Sequence, residues 1–160
     1  MADWQTARFD PTYEEPIDPS IIPLCDALQA AGFNTVSSCC GHGQAWPHVF
    51  WDDSTPEEVC ESLARFLLSR SGGDYKPFTP WCQKEILETG HRWCLEIHVH
   101  DMYANTPTAK GFAMASEAIL VVVKHVLEWG TSDAQDDLST KYPRWRLSKR
   151  APVAALQASG

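Results

Sequence analysis

The sequence predicts a single small α+β domain, a mixed or antiparallel sheet with helices packed on one face. Trp93 to Asp101 alternates apolar and polar residues with the period of a strand. Three other stretches repeat apolar residues at helical spacing. At 160 residues, with 44% hydrophobic and 21% charged, the chain has the composition of one globular domain with a real core.

Residues 1–19 are polar and Pro-rich, with Pro11, Pro16 and Pro19 beside Asp10, Glu14, Glu15 and Asp18. They read as an extended arm, for Trp4, Phe9 and Tyr13 to lay across the domain. The domain proper spans 20–150. Its first helix starts near Ser20, a good cap, with Pro23 still in the first turn where its missing N–H is harmless. Ile21, Leu24, Cys25 and Leu28 form one apolar stripe, and Gly32 ends the helix so that Phe33 folds back on it. A strand over Asn34–Ser38 follows, then a loop, then a second strand over Pro47–Trp51. Thr55-Pro56-Glu57-Glu58 is a helix start with the spacing of a capping box. Val59, Leu63, Phe66 and Leu67 are that helix's inner stripe, and Ser71-Gly72-Gly73 stops it. Lys84–Glu88 reads as one arm of a hairpin that turns at Thr89-Gly90. In the strand after it, Leu95, Ile97 and Val99 point one way, and Cys94, Glu96, His98 and His100 the other. A third helix runs from about Thr108 to Trp129 with Phe112, Ile119, Val122, Val126 and Trp129 inward. Trp145–Leu147 suits an edge strand, and residues 151–160 a flexible tail.

Charge narrows the partners. The net charge is −8, yet residues 141–150 carry five positive charges and no acid. Residues 151–160 carry no charge at all, so residues 1–140 hold −13. Phosphate neutralisation dominates nucleic-acid affinity, so a body this acidic makes a long nucleic acid an unfavourable partner. A small molecule or a single nucleotide is easier to accept. No apolar run approaches bilayer length and the N-terminus is acidic, which predicts no membrane partner and a cytoplasmic location. Six Cys show no paired spacing, and Cys25 and Cys60 fall on apolar helix faces as buried reduced thiols. The seven Trp read mostly as core anchors.

Chemistry concentrates in Thr35-Val36-Ser37-Ser38-Cys39-Cys40-Gly41-His42-Gly43. A plain turn needs Gly, Asn or Pro, but not two thiols and an imidazole beside them. Three functions suit it. As a metal site it offers Cys39, Cys40 and His42, with Glu96, His98 and His100 on the later strand; thiolate and imidazole are what zinc prefers. As a nucleophilic site it offers Cys39 or Cys40, with His42 or His98 as base. As a cradle for a nucleotide it offers the N–H groups of Gly41 to Gly43, the Ser37 and Ser38 hydroxyls and a stacking ring from Trp46 or Trp51. The expected catalytic residues are therefore His42, His98 and Cys39, and the expected ligand-binding residues Ser37, Ser38, Gly41, Gly43 and Trp46. A fourth use is structural, two thiols packed beneath a tight turn in a non-catalytic interaction protein.

The run Thr35-Val36-Ser37-Ser38-Cys39-Cys40-Gly41-His42 resembles the Thr-Thr-Ser-Ser-Cys-Ser-Gly-Arg turn of the methyltransferase family of wybutosine synthesis on tRNA. Leu95-Glu96-Ile97-His98-Val99, before a helix ending Glu128-Trp129-Gly130, is similar to that family's Leu-His-Val strand and last helix. The resemblance implies an α/β domain binding S-adenosylmethionine near the turn, with Ser38, Cys39, Gly41 and His98 as site positions. The Ser-Cys-x-Gly-His form also resembles small uncharacterised bacterial and phage proteins.

These residues predict a nucleotide or nucleotide-like ligand site over Ser37–Gly43 and the His98/His100 strand face. A zinc-dependent hydrolase on the same face is the principal alternative.

Overall fold

In a computed structural model, four strands form one sheet in the order β1-β2-β4-β3, every neighbouring pair antiparallel. The strands are β1 (Thr35–Cys39), β2 (His48–Trp51), β3 (Phe78–Leu87) and β4 (Gly90–Val99), and the helices α1 (Ile22–Ala30), α2 (Glu57–Ser71) and α3 (Ala109–Gly130). The structure describes residues 17–71, 78–99, 109–132, 138 and 140–142. The arm up to residue 16, His100, the Trp145–Leu147 strand and the 151–160 tail lie outside them.

Alternation along β2 and β4 sets the two faces of the sheet. Val49, Trp51, Leu95 and Ile97 are fully buried on the face that the helices cover. His48, Phe50, Glu96 and His98 stand on the other face, half-buried. β1 carries a one-residue irregularity between Thr35 and Ser37, so two successive core-facing positions, Thr35 and Ser38, lie three apart instead of two. Its consequence falls at the strand's end. Cys39 pairs with His48, and His48 with Glu96, so these three share one row on the face away from the helices.

A 3-10 turn over Pro19–Ile21 runs into α1. Ile21, Leu24, Cys25 and Leu28 are each fully buried, as their spacing predicts. Gly32, at φ 103°, closes the helix with paired bonds, Phe33 N–H to Leu28 O at 3.0 Å and Gly32 N–H to Gln29 O at 2.9 Å. That closure sets Phe33 at the centre of the core, its ring 4.9 Å from Trp51 and 5.7 Å from Trp129. Both indoles are also satisfied, Trp51 donating to Cys60 Sγ and Trp129 to Ser62 Oγ. Ile17 and Asp18, which the composition assigns to the arm, are buried and belong to the packed body.

α2 follows Thr55-Pro56, but the expected capping box is not made. Thr55 Oγ1 is buried with no hydrogen-bond partner among the described residues, and Glu58 turns outward to Lys141. Val59, Leu63 and Leu67 nevertheless bury as expected, with Phe66 half-covered. Phe78 to Leu87 pairs with β4 across the turn Glu88–Thr89, which is the predicted hairpin with a longer first arm. α3 buries Ile119, Val122, Val126 and Trp129, with Phe112 at the margin. Among the described residues no helix is long and apolar enough to cross a membrane.

Candidate functional site

Cys40 is the last residue in ordinary right-handed backbone before Gly41, His42 and Gly43 take φ of 83°, 52° and 77°. Two of these are glycines, which adopt that region freely; His42 adopts it against its own Cβ. The coil brings three backbone donors to bear on nearby anions and thiols. Cys40 N–H donates to Asp18 Oδ2 at 3.1 Å, Gly41 N–H to Cys39 Sγ at 3.3 Å, and His42 N–H to Cys40 Sγ at 3.4 Å. α3 holds the coil from outside. A Cβ on Gly111 would lie 2.1 Å from Gly43 O, so only glycine permits the helix's first turn to sit there. Gly41 is similarly confined, its Cβ position 3.3 Å from the backbone of Trp46 and Pro47.

Asp18 was not among the residues the sequence pointed to. It precedes the Pro19–Ile21 turn in the position of a cap, yet its side chain makes no capping bond. The carboxylate turns instead to the loop, with Oδ2 3.7 Å from His42 Nε2. Asp18 is largely buried and His42 is 41% exposed, so the imidazole forms the open wall of the site. Ligand atoms of Asp18, Cys39 and His42 all lie within 4.8 Å of one another.

On its other side His42 has Cys40 Sγ 3.8 Å from Nδ1. Thiol, imidazole and carboxylate thus line up in the order of a nucleophilic triad. Burial, however, pushes the Cys40 thiol up to about 11, and the Asp18 charge adds to it against the opposing His42 N–H and Ser20 bonds. Cys40 is 2% exposed and protonated at neutral pH, which leaves it a poor nucleophile. Cys39, at the strand's end, is only half-buried.

The remaining sequence-derived positions fall in two places. Ser38 faces the core, its Oγ buried without a partner among the described residues, and Ser37 is half-buried beside it. Trp46 and His98 form a second group: the rings stack at 3.9 Å with 20° between their planes, and Trp46 Nε1 donates to Val99 O. Glu96 Oε1 lies 2.6 Å from His98 Nε2. Both groups border the β1–β2–β4 end of the sheet, but among the described residues the compact ligand set contains neither Glu96 nor His98. The sequence also passed over His48, although its alternation with Val49 places it on the polar face. A search of protein-family models, of curated proteins and of solved structures finds no match to this chain.

Proposed function

We propose that Asp18, Cys39 and His42 hold a zinc ion and that the protein is a zinc-dependent hydrolase of a small molecule. The observation behind this is the convergence of one carboxylate, one thiol and one imidazole within 4.8 Å on a strained, braced loop. Carboxylate, thiolate and imidazole are all zinc ligands, and three protein ligands leave the fourth tetrahedral position for water. The two anionic donors balance the ion's charge, and the Gly41 N–H on Cys39 Sγ favours the thiolate that a metal requires. Zinc has no redox chemistry of its own; it lowers the pKa of bound water toward about 7 and polarises an electrophile, which is the chemistry of hydrolysis.

A cradle for a nucleotide or for S-adenosylmethionine at the same turn needs free backbone N–H groups. Those of Gly41 and His42 donate to the loop's own thiols, and that of Cys40 to the Asp18 carboxylate, which already stands where an external anion would sit. The metal reading therefore has the better support. The test is zinc bound by protein made without a metal-affinity tag, compared with Asp18→Asn, Cys39→Ser and His42→Ala. Each variant is expected to lose at least about tenfold in zinc affinity, the scale even for supporting groups. Three variants that bind as wild type would refute the site.

A further inference from the structure

We propose that His48 is the general base of the zinc site, taking the proton from metal-bound water; this rests on the zinc reading above. The register supplies the first reason. His48 pairs directly with Cys39, and facing residues of antiparallel strands share a side with Cβ atoms about 4.5–5.5 Å apart. His48 is thus the imidazole that the sheet sets beside a metal ligand on the side where that ligand's thiol stands, and it is outside the ligand set itself.

The second reason is its tautomer. His48 Nδ1 lies 3.2 Å from the carbonyl oxygen of Trp46. A carbonyl oxygen can only accept, so Nδ1 carries the hydrogen and the neutral ring keeps its lone pair on Nε2. A base needs that lone pair, and the Trp46 bond fixes the ring that bears it. The third reason is what lies behind it. Glu96 is the residue opposite His48 on β4, and its carboxylate is engaged by His98, whose ring is stacked on Trp46. The row Cys39, His48, Glu96 therefore runs from ligand to imidazole to an anchored carboxylate.

The step balances with water as the only co-reactant. With zinc held by Asp18, Cys39 and His42, His48 Nε2 would take one proton from the water that the metal activates, and the resulting hydroxide would attack the carbonyl carbon of a carboxylic ester. As the tetrahedral intermediate collapses, the C–O bond to the leaving alcohol breaks and the imidazolium returns the proton to that oxygen. The products are a carboxylic acid and an alcohol.

The test uses the full chain loaded with zinc and 4-nitrophenyl acetate as the probe ester. His48→Ala should keep wild-type zinc affinity, read by competition with a chromophoric chelator. Its kcat/KM should fall by roughly 10²–10⁴-fold, the range of general-base contributions. Added imidazole should restore part of that loss in His48→Ala and none in Cys39→Ser. His48→Gln, which keeps a donor for Trp46 O, should be as slow as His48→Ala if the lone pair matters. Loss of zinc from His48→Ala would make His48 a ligand, and an unchanged rate would make it a bystander; either overturns the proposal. So would a wild-type zinc protein no faster than its metal-free form. A wild type that binds no zinc would instead defeat the site itself, and this proposal with it.

Discussion

Two turns of this sheet reverse the chain after a strand, and they are built on opposite terms. The β3–β4 turn spends two exposed residues, Glu88 and Thr89, before Gly90 takes up the pairing. The turn after β1 holds His42 at φ 52°, directs three N–H groups inward and bears directly on the backbone of Gly111. Reversing a chain requires only the first kind. A left-handed non-glycine residue costs of order 1–2 kcal/mol, and such strain persists where the surroundings over-determine it, commonly at functional sites. The contrast marks the Cys40–Gly43 coil as a positioned object, with α3 and Asp18 as its braces.

The largest effects should come from the platform that both turns share. Leu63→Ala and Ile119→Ala remove fully buried side chains and should each lower stability by about 2–5 kcal/mol in urea denaturation. Midpoints equal to wild type would mean that these helices do not carry the core.

Separating the two turns needs a smaller change. Gly111→Ala forces a methyl group toward Gly43 O and should cost about 1–3 kcal/mol as an overpacked contact. It should also weaken zinc binding, because the helix can relax only by moving the loop. Thr89→Ala at the exposed turn should stay within about 0.5 kcal/mol and leave zinc untouched. Equal zinc affinity in both variants would remove α3 from its role as a brace.

His42→Gly makes the sharpest contrast between stability and function. Glycine accepts φ 52° without its Cβ clash, so the metal-free protein should keep its stability to within about 1 kcal/mol. Zinc affinity should drop at least about tenfold if His42 is the ligand proposed above. A variant that loses stability in proportion to its zinc would show His42 acting only as packing.

A further effect is general rather than local. Burial pushes the thiols of Cys40 up to about 11 and of Cys60 and Cys94 up to about 12, from an ordinary 9.0. Above pH 9 the unfolded chain releases these protons first. The stability they contribute is therefore whole below pH 9 and is lost as pH rises through 11 to 12. Thermal midpoints that hold level over that window in metal-free protein would contradict the burial of these thiols.

What the sequence disclosed, and what it kept back, follows from range. The stripe Ile21, Leu24, Cys25, Leu28 and the alternation of Leu95, Ile97 and Val99 are written in local periodicity, and all of these residues are buried. The loop's residue types were equally local, so Cys39 and His42 stood out. Asp18 could not, because its partner Cys40 is 22 residues away and the residue reads as one of several acids in a Pro-rich arm. The position of Cys39 beside His48 depended on the irregularity at Val36, which no composition rule marks. Thr55 misled in the other direction, a good cap by type whose hydroxyl is buried instead.

The zinc proposal stands or falls on Asp18 joining Cys39 and His42 around the ion. X-ray absorption at the zinc edge of the loaded protein tests it directly. The expected shell has one sulfur at about 2.3 Å and nitrogen or oxygen neighbours at about 2.0–2.2 Å, with Asp18→Asn altering the oxygen shell and leaving the sulfur in place. A shell with two sulfurs, or with none, would contradict the Asp18–Cys39–His42 assignment.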